Sequence, residues 1–179
     1  SPLTAKYVVN EYTEKQLAKI IYEYGEERFA NLIAKNIVGE RQKAEIATCG
    51  QLVRLIERSI PKKFQQSGHP AKKTFQALRI HVNGELDGLD TVLRDMVDGL
   101  KPHGRLAVIT FHSLEDRIVK NTFKDLNTDC VCDKSLPVCV CGRKKRVELI
   151  TGKPVTASQK ELSENSRSKS AKLRVVEKV

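Results

Sequence analysis

Arg105-Leu106-Ala107-Val108-Ile109-Thr110-Phe111-His112-Ser113-Leu114-Glu115-Asp116-Arg117-Ile118-Val119-Lys120 is the stretch that decides the fold class. Residues 105–111 hold a short apolar run of strand type, entered through the turn-forming Leu100-Lys101-Pro102-His103-Gly104. Beyond it Leu114, Ile118, Phe123 and Leu126 recur at helical spacing, which predicts a helix over 114–126. A strand feeding a helix in this way is an α/β unit, and in an open α/β sheet ligands bind at the carboxyl ends of strands. His112 and Ser113 fall at that end, with Glu115, Asp116 and Arg117 in the first helical turn. Two readings stay open for these residues. Ser113 with Asp116 is also a helix-capping pair, and acids in a first turn complement the helix dipole.

Downstream, residues 146–150 and 172–176 alternate weakly and are expected to close a sheet. Between them and the helix lies a cysteine-containing loop, residues 130–141. Upstream, Phe75, Leu78, Val82, Leu86, Leu89, Leu93 and Val97 keep an apolar stripe that Gly84 and Gly88 interrupt. Each glycine costs about 1 kcal/mol against Ala in a helix, so a bend or break is expected there. Pro70 suits a first helical turn. The first third reads as helices: Thr13-Glu14-Lys15-Gln16 and Thr48-Cys49-Gly50-Gln51 have capping-box form, and Pro61 ends the second of these segments. Gly25 is expected to end the first. A further helix is expected to turn Phe29, Leu32, Ile33 and Ile37 inward and to stop at Gly39. These patterns divide the chain into a helical lobe, 5–69, and an α/β part, 70–179.

The chain has 179 residues and a formal net charge of +10, from 32 Lys and Arg against 22 Asp and Glu. That excess favours a polyanionic partner, although lysines also merely keep proteins soluble. From Pro61 to Gly84 there are Lys62, Lys63, Lys72, Lys73 and Arg79 and no acid, and Arg143-Lys144-Lys145-Arg146 forms a second cluster. Lys72, Lys73, Gln76 and Arg79 recur at spacings of three and four, a helix face that could follow a phosphate backbone or simply be solvated. No apolar run approaches the roughly 18 residues needed to span a bilayer and no signal peptide is visible, so a cytoplasmic setting is expected.

Cys130-Val131-Cys132 and Cys139-Val140-Cys141 are two C-x-C pairs, with Pro137 between them. Four thiolates so placed could enclose a tetrahedral zinc. The spacing does not favour it, because zinc knuckles use C-x2-C, whereas C-x-C works only where an extended strand turns both side chains to one face. A disulfide framework is disfavoured in a reducing compartment and would leave Cys49 over.

Five segments together carry a resemblance. They are Tyr24-Gly25-Glu26-Glu27-Arg28-Phe29, His69-Pro70-Ala71-Lys72-Lys73-Thr74-Phe75-Gln76-Ala77-Leu78-Arg79-Ile80, Phe111-His112-Ser113-Leu114-Glu115-Asp116-Arg117, Pro137-Val138-Cys139-Val140-Cys141 and Ser170-Ala171-Lys172-Leu173-Arg174-Val175. In this order they resemble the C-terminal half of bacterial 16S ribosomal RNA (cytosine-N4)-methyltransferases of the MraW family. The resemblance implies part of a Rossmann-like domain with an inserted helical substrate-recognition lobe, S-adenosylmethionine as cofactor, and a cytidine in the decoding region of 16S ribosomal RNA, or the small ribosomal subunit, as target. It also implies a fragment, because the family's Gly-rich cofactor turn does not occur between Ser1 and Val179. No cofactor-binding residue is therefore assigned in this chain, which alone is expected to be inactive.

Cytosine's exocyclic amine is a poor nucleophile that must be desolvated, aligned and relieved of a proton. On this resemblance His112 would accept that proton or hydrogen-bond the base, and Ser113 and Asp116 would position the amine. Arg117 would hold a phosphate, with Lys72, Lys73, Gln76, Arg79, Arg143 and Lys144 contacting RNA. The main catalytic group is also expected upstream. Ser166 and Lys169 stand where the family carries proline and arginine, which loosens that turn and removes paired donors. The alternatives are a stand-alone RNA-binding module and, more weakly, a hydrolase built on Ser113 and His112, for which no G-x-S-x-G elbow exists.

Overall fold

The computed structural model describes residues 3–65, 68–133 and 138–179. Pro137 lies outside the described residues. The chain divides into two compact units, Ser1–Glu85 and Leu86–Val179.

The first unit is helical: α1 Ala5–Glu11, α2 Glu14–Gly25, α3 Ala30–Arg41, α4 Cys49–Ser59, a short 3-10 turn at Lys62–Phe64, and α5 Lys72–Asn83. Both capping boxes form, Thr13 with Gln16 and Thr48 with Gln51. Val8, Leu17, Ile21, Ile33, Ile37 and Ile56 are fully buried and make one core with Ala77 and Leu78 of α5. Since α5 contributes to this core, the boundary expected after residue 69 lies instead after Glu85. The expected break falls at the two glycines: Gly84 (φ 60°) caps α5 and Gly88 (φ 70°) precedes the next helix, both left-handed.

α2 ends at Gly25 as expected, with the left-handed C-cap conformation taken by Glu26 (φ 49°); Gly25 is required because a Cβ there would sit 2.7 Å from the Lys73 carbonyl oxygen. Two local expectations are corrected. α3 runs through Gly39 to Arg41 with Leu32 exposed, and its buried positions are Ala30, Ile33, Ala34 and Ile37. Pro70 lies in the turn before α5 and not in its first turn.

The second unit is mixed: α6 Leu89–Gly99, β1 Arg105–Thr110, α7 Ser113–Leu126, β2 Val147–Leu149, β3 Val155–Thr156, α8 Gln159–Glu164, a 3-10 turn at Ser166–Ser170, and β4 Lys172–Lys178. β4 is the centre of the sheet; β1, β2 and β3 all pair with it antiparallel, in the order β1-β4-β2. β1 and β2 are therefore parallel to each other. Register fixes Ala107 opposite Val175 and Val108 opposite Arg174. Leu93, Val97, Val119, Phe123, Leu126, Val147 and Val176 form the core between the helices and one sheet face, flanked by Leu106 and Val108. Val119, not Ile118, is the fully buried residue of α7's second turn. On the opposite face Ile109 and Val155 are more than half exposed, and so is Phe111 at the strand's end.

Candidate functional site

β1 runs into α7 without a glycine, and the turn is held by a cap different from the expected one. His112, not Ser113, is the N-cap: its Nδ1 accepts from the Glu115 amide at 3.4 Å, while Glu115 Oε2 accepts from the amides of Phe111 (2.8 Å) and His112 (3.3 Å). Two orphan donors at the helix start are thus satisfied reciprocally. Because Nδ1 is the acceptor, the neutral ring carries its proton on Nε2. Nε2 is buried, 3.2 Å from Glu115 Oε1 but outside hydrogen-bond geometry with any described residue. His112 thus serves the helix start through Nδ1, with Nε2 turned inward towards Glu115. Ser113 and Arg117 stand beside it on the exposed side of α7.

Asp116 points the other way. Both its oxygens are taken by Arg174 of β4, at 2.7 and 3.2 Å, and Lys172 adds a contact at 3.4 Å. Arg174 and Asp116 are each 8% exposed. The Arg174 guanidinium holds the Asp116 carboxyl below its ordinary 3.8, against the opposing effect of burial. A carboxylate so occupied fastens α7 to β4, the part Asp116 plays in this structure.

The polar face of α5 is likewise partly occupied. Lys73 Nζ donates to the Glu26 carbonyl (3.0 Å) and Gln76 Nε2 to the Tyr24 carbonyl (3.3 Å), closing the C-terminus of α2. Arg79 is held by Glu85 through two bonds, at 2.9 and 3.0 Å. The acid-free run of the sequence ends one residue too soon to reveal this partner. Lys72 is exposed.

Two basic surfaces of the helical unit escaped the sequence reading. Lys35, Lys43, Arg54 and Arg58 line a groove of about 590 Å³ along α3 and α4, with Glu40 and Glu45. The Arg28 guanidinium stacks on Phe64 at 3.6 Å, with Lys63 at 5.0 Å and Phe29 at 5.3 Å from the same ring. Such a cation-covered aromatic can stack a base. The signal was present as Arg28-Phe29 and Lys63-Phe64, but their meeting is tertiary.

After α7 the base of the cysteine loop is laced across its two ends. Arg143 Nε donates to the Thr128 carbonyl at 3.1 Å, its Nη2 pairs with Asp125 Oδ1 at 2.6 Å and also meets the Asp125 carbonyl, and the Lys145 amide donates to Asp129 Oδ1 at 3.0 Å. Arg143, Arg94 and Asp125 form one cluster, and Arg143 followed by Arg94 holds the Asp125 carboxyl low. Arg143 thus closes a loop; Lys144 is exposed. Above this base the sulfurs of Cys130, Cys132, Cys139 and Cys141 all lie within 4.8 Å of one another. No helix among the described residues is long and apolar enough to cross a membrane.

The architecture defines a chain of an α/β unit and an all-helical unit. The chain belongs to the MraW methylase family, which it matches over residues 1–179. It is 56% identical over 177 residues to ribosomal RNA small subunit methyltransferase H 2 of Agathobacter rectalis, covering 98% of this chain and 56% of that protein. Ribosomal RNA small subunit methyltransferase H of Clostridium botulinum (strain Kyoto) is 52% identical, with 99% of this chain and 57% of that protein covered. Its counterpart in Fusobacterium nucleatum is 54% identical, with 99% and 56% covered. The chain thus spans a little over half the length of these relatives.

Proposed function

We propose that this chain is the substrate-facing part of an S-adenosylmethionine-dependent enzyme that methylates N4 of a cytidine in the decoding region of 16S ribosomal RNA. The observation that carries the reading is the match to the MraW methylase family along all 179 residues, with relatives named as small-subunit ribosomal RNA methyltransferases. The residues present do not build the cofactor's Gly-rich turn, since β1 enters α7 through Phe111 and His112, and no step is assigned through the cofactor here. It supplies an electrophilic methyl when bound. The sheet is read as the end of a Rossmann-like sheet, because β1 has an unpaired outer edge among the described residues and an exposed Ile109 beside it. Doubly wound sheets commonly carry such an antiparallel strand. The helical unit is read as the inserted lobe.

In this reading the end of β1 contributes shape and donors. The Glu115 carboxylate holds the Phe111–His112 turn rigid, Ser113 faces the base from the first turn of α7, and exposed Phe111 gives a splayed base an apolar surface. The amine's proton goes to a group outside this set, because His112 Nδ1 and both Asp116 oxygens are engaged. Lys72, Arg117, Lys144, the groove of Lys35, Lys43, Arg54 and Arg58, and the Arg28–Phe64 stack are assigned to RNA. The test is incubation of the longer gene product with S-adenosylmethionine and unmodified small-subunit RNA, followed by nucleoside mass spectrometry. N4-methylcytidine is expected. RNA binding without methylation would replace this reading with that of a basic RNA-binding module, which the α3–α4 groove would also serve.

A further inference from the structure

Cys130, Cys132, Cys139 and Cys141 form the most concentrated set of metal-ligating atoms among the described residues. Neighbouring sulfurs are separated by 3.4 Å (Cys130–Cys139), 3.5 Å (Cys139–Cys141), 3.8 Å (Cys130–Cys141) and 3.9 Å (Cys132–Cys139). Four sulfurs held tetrahedrally at about 2.3 Å from one zinc ion stand about 3.8 Å apart. The observed distances bracket that value. They are far from the roughly 2.05 Å of a disulfide, and all four thiols are free.

Cys130, Cys139 and Cys141 are exposed and Cys132 is partly buried, and both sulfurs of each C-x-C pair are brought to one point while the central valine faces solvent. Val131 and Val140 are indeed 61% and 76% exposed, and Val138 is 70% exposed. A loop whose apolar side chains face solvent has no core of its own to hold four thiols together, which is the situation in which small structures rely on a bound metal. Backbone amides also point at the sulfurs, as expected where thiolate charge is to be stabilised. The Cys132 amide donates to Cys130 Sγ at 3.4 Å. The backbone amides of Val131 and Arg143 are directed at Cys141 Sγ.

We propose that these four cysteines bind a single Zn(II) ion as a closed, structural tetrathiolate site that staples the loop between α7 and β2. Binding exchanges the thiol protons for four sulfur–metal bonds and leaves two net negative charges, beside the basic run 143–146. Four sulfur ligands leave no open position, so the ion takes no part in methyl transfer. Its work is to hold Val131, Val138 and Val140 on a rigid tip above the base that Arg143 laces. The set is mononuclear, since all four sulfurs lie within 4.8 Å of one another, whereas a cluster of several irons would spread its cysteines further.

The test uses the full chain, purified with reductant, given Zn(II) and desalted. Metal analysis is expected to find one equivalent of zinc, and cobalt substitution the intense visible bands of tetrahedral thiolate coordination. The double variant Cys139→Ser/Cys141→Ser should lose both, while Cys49→Ser should keep both and so controls for folding. Chelation should raise protease cleavage within residues 129–142 by about tenfold without releasing the helical unit. Retention of zinc by the double variant, iron in its place, substoichiometric zinc in correctly folded reduced chain, or two disulfides by non-reducing mass analysis would each overturn the proposal.

Discussion

Asp116 holds Arg174 through both carboxylate oxygens and Lys172 through one, in a setting from which water is largely excluded. Asp116→Asn keeps the shape but leaves a buried guanidinium without its counter-charge, so a loss of about 3 kcal/mol is expected, read as a lower urea midpoint at unchanged m-value. The folded-state pKa is lowered, so this stabilisation is present above the ordinary carboxylate value of 3.8 and is lost as pH falls through the lower folded value. The gap between the native protein and the Asn variant should therefore be constant near neutrality and close only below that value. A gap that closed between pH 5 and 7 would show that another group sets it. Arg79 illustrates the opposite side of the same chemistry. Its pair with Glu85 is exposed, so Glu85→Gln is expected to change stability by less than about 1 kcal/mol while freeing a guanidinium on α5.

At the level of elements, α2 and α5 meet where Gly25 has no side chain. Gly25→Ala places a Cβ 2.7 Å from the Lys73 carbonyl, which is backbone and cannot swing away. A cost of about 1–3 kcal/mol is expected, with the bonds from Lys73 and Gln76 to the end of α2 strained in turn. Thermal unfolding checks it; an unchanged midpoint would mean the helices can part freely. The β1–α7 junction makes a separate prediction. His112→Asn keeps an acceptor at the N-cap and should cost little, whereas His112→Ala should lose about 1 kcal/mol of stability. If both variants of the longer gene product lose methylation equally, the ring itself serves the substrate, and not only the cap.

For the molecule as a whole, the net charge of +10 predicts RNA affinity that falls steeply with salt through counterion release. Charge reversal at Lys35, Arg54 and Arg58 should flatten that slope by about 2–3 and weaken binding uniformly across sequences, measured by filter binding at several salt concentrations; an unchanged slope removes the α3–α4 groove from the interface. The sequence alone determined whatever depends on neighbours in the chain. The capping boxes at Thr13 and Thr48, the break at Gly84 and Gly88 and the strand 105–110 feeding a helix all rest on contacts or conformations within a few residues. Tertiary structure decided what depends on partners far along the chain. It turned Asp116 inward, because Arg174 waits 58 residues away, and it brought Arg28 onto Phe64 and four sulfurs to one point. It also moved α5 into the helical unit, because the apolar side of α5 completes that core. Periodicity shows that a side chain has a face; only packing shows what that face meets.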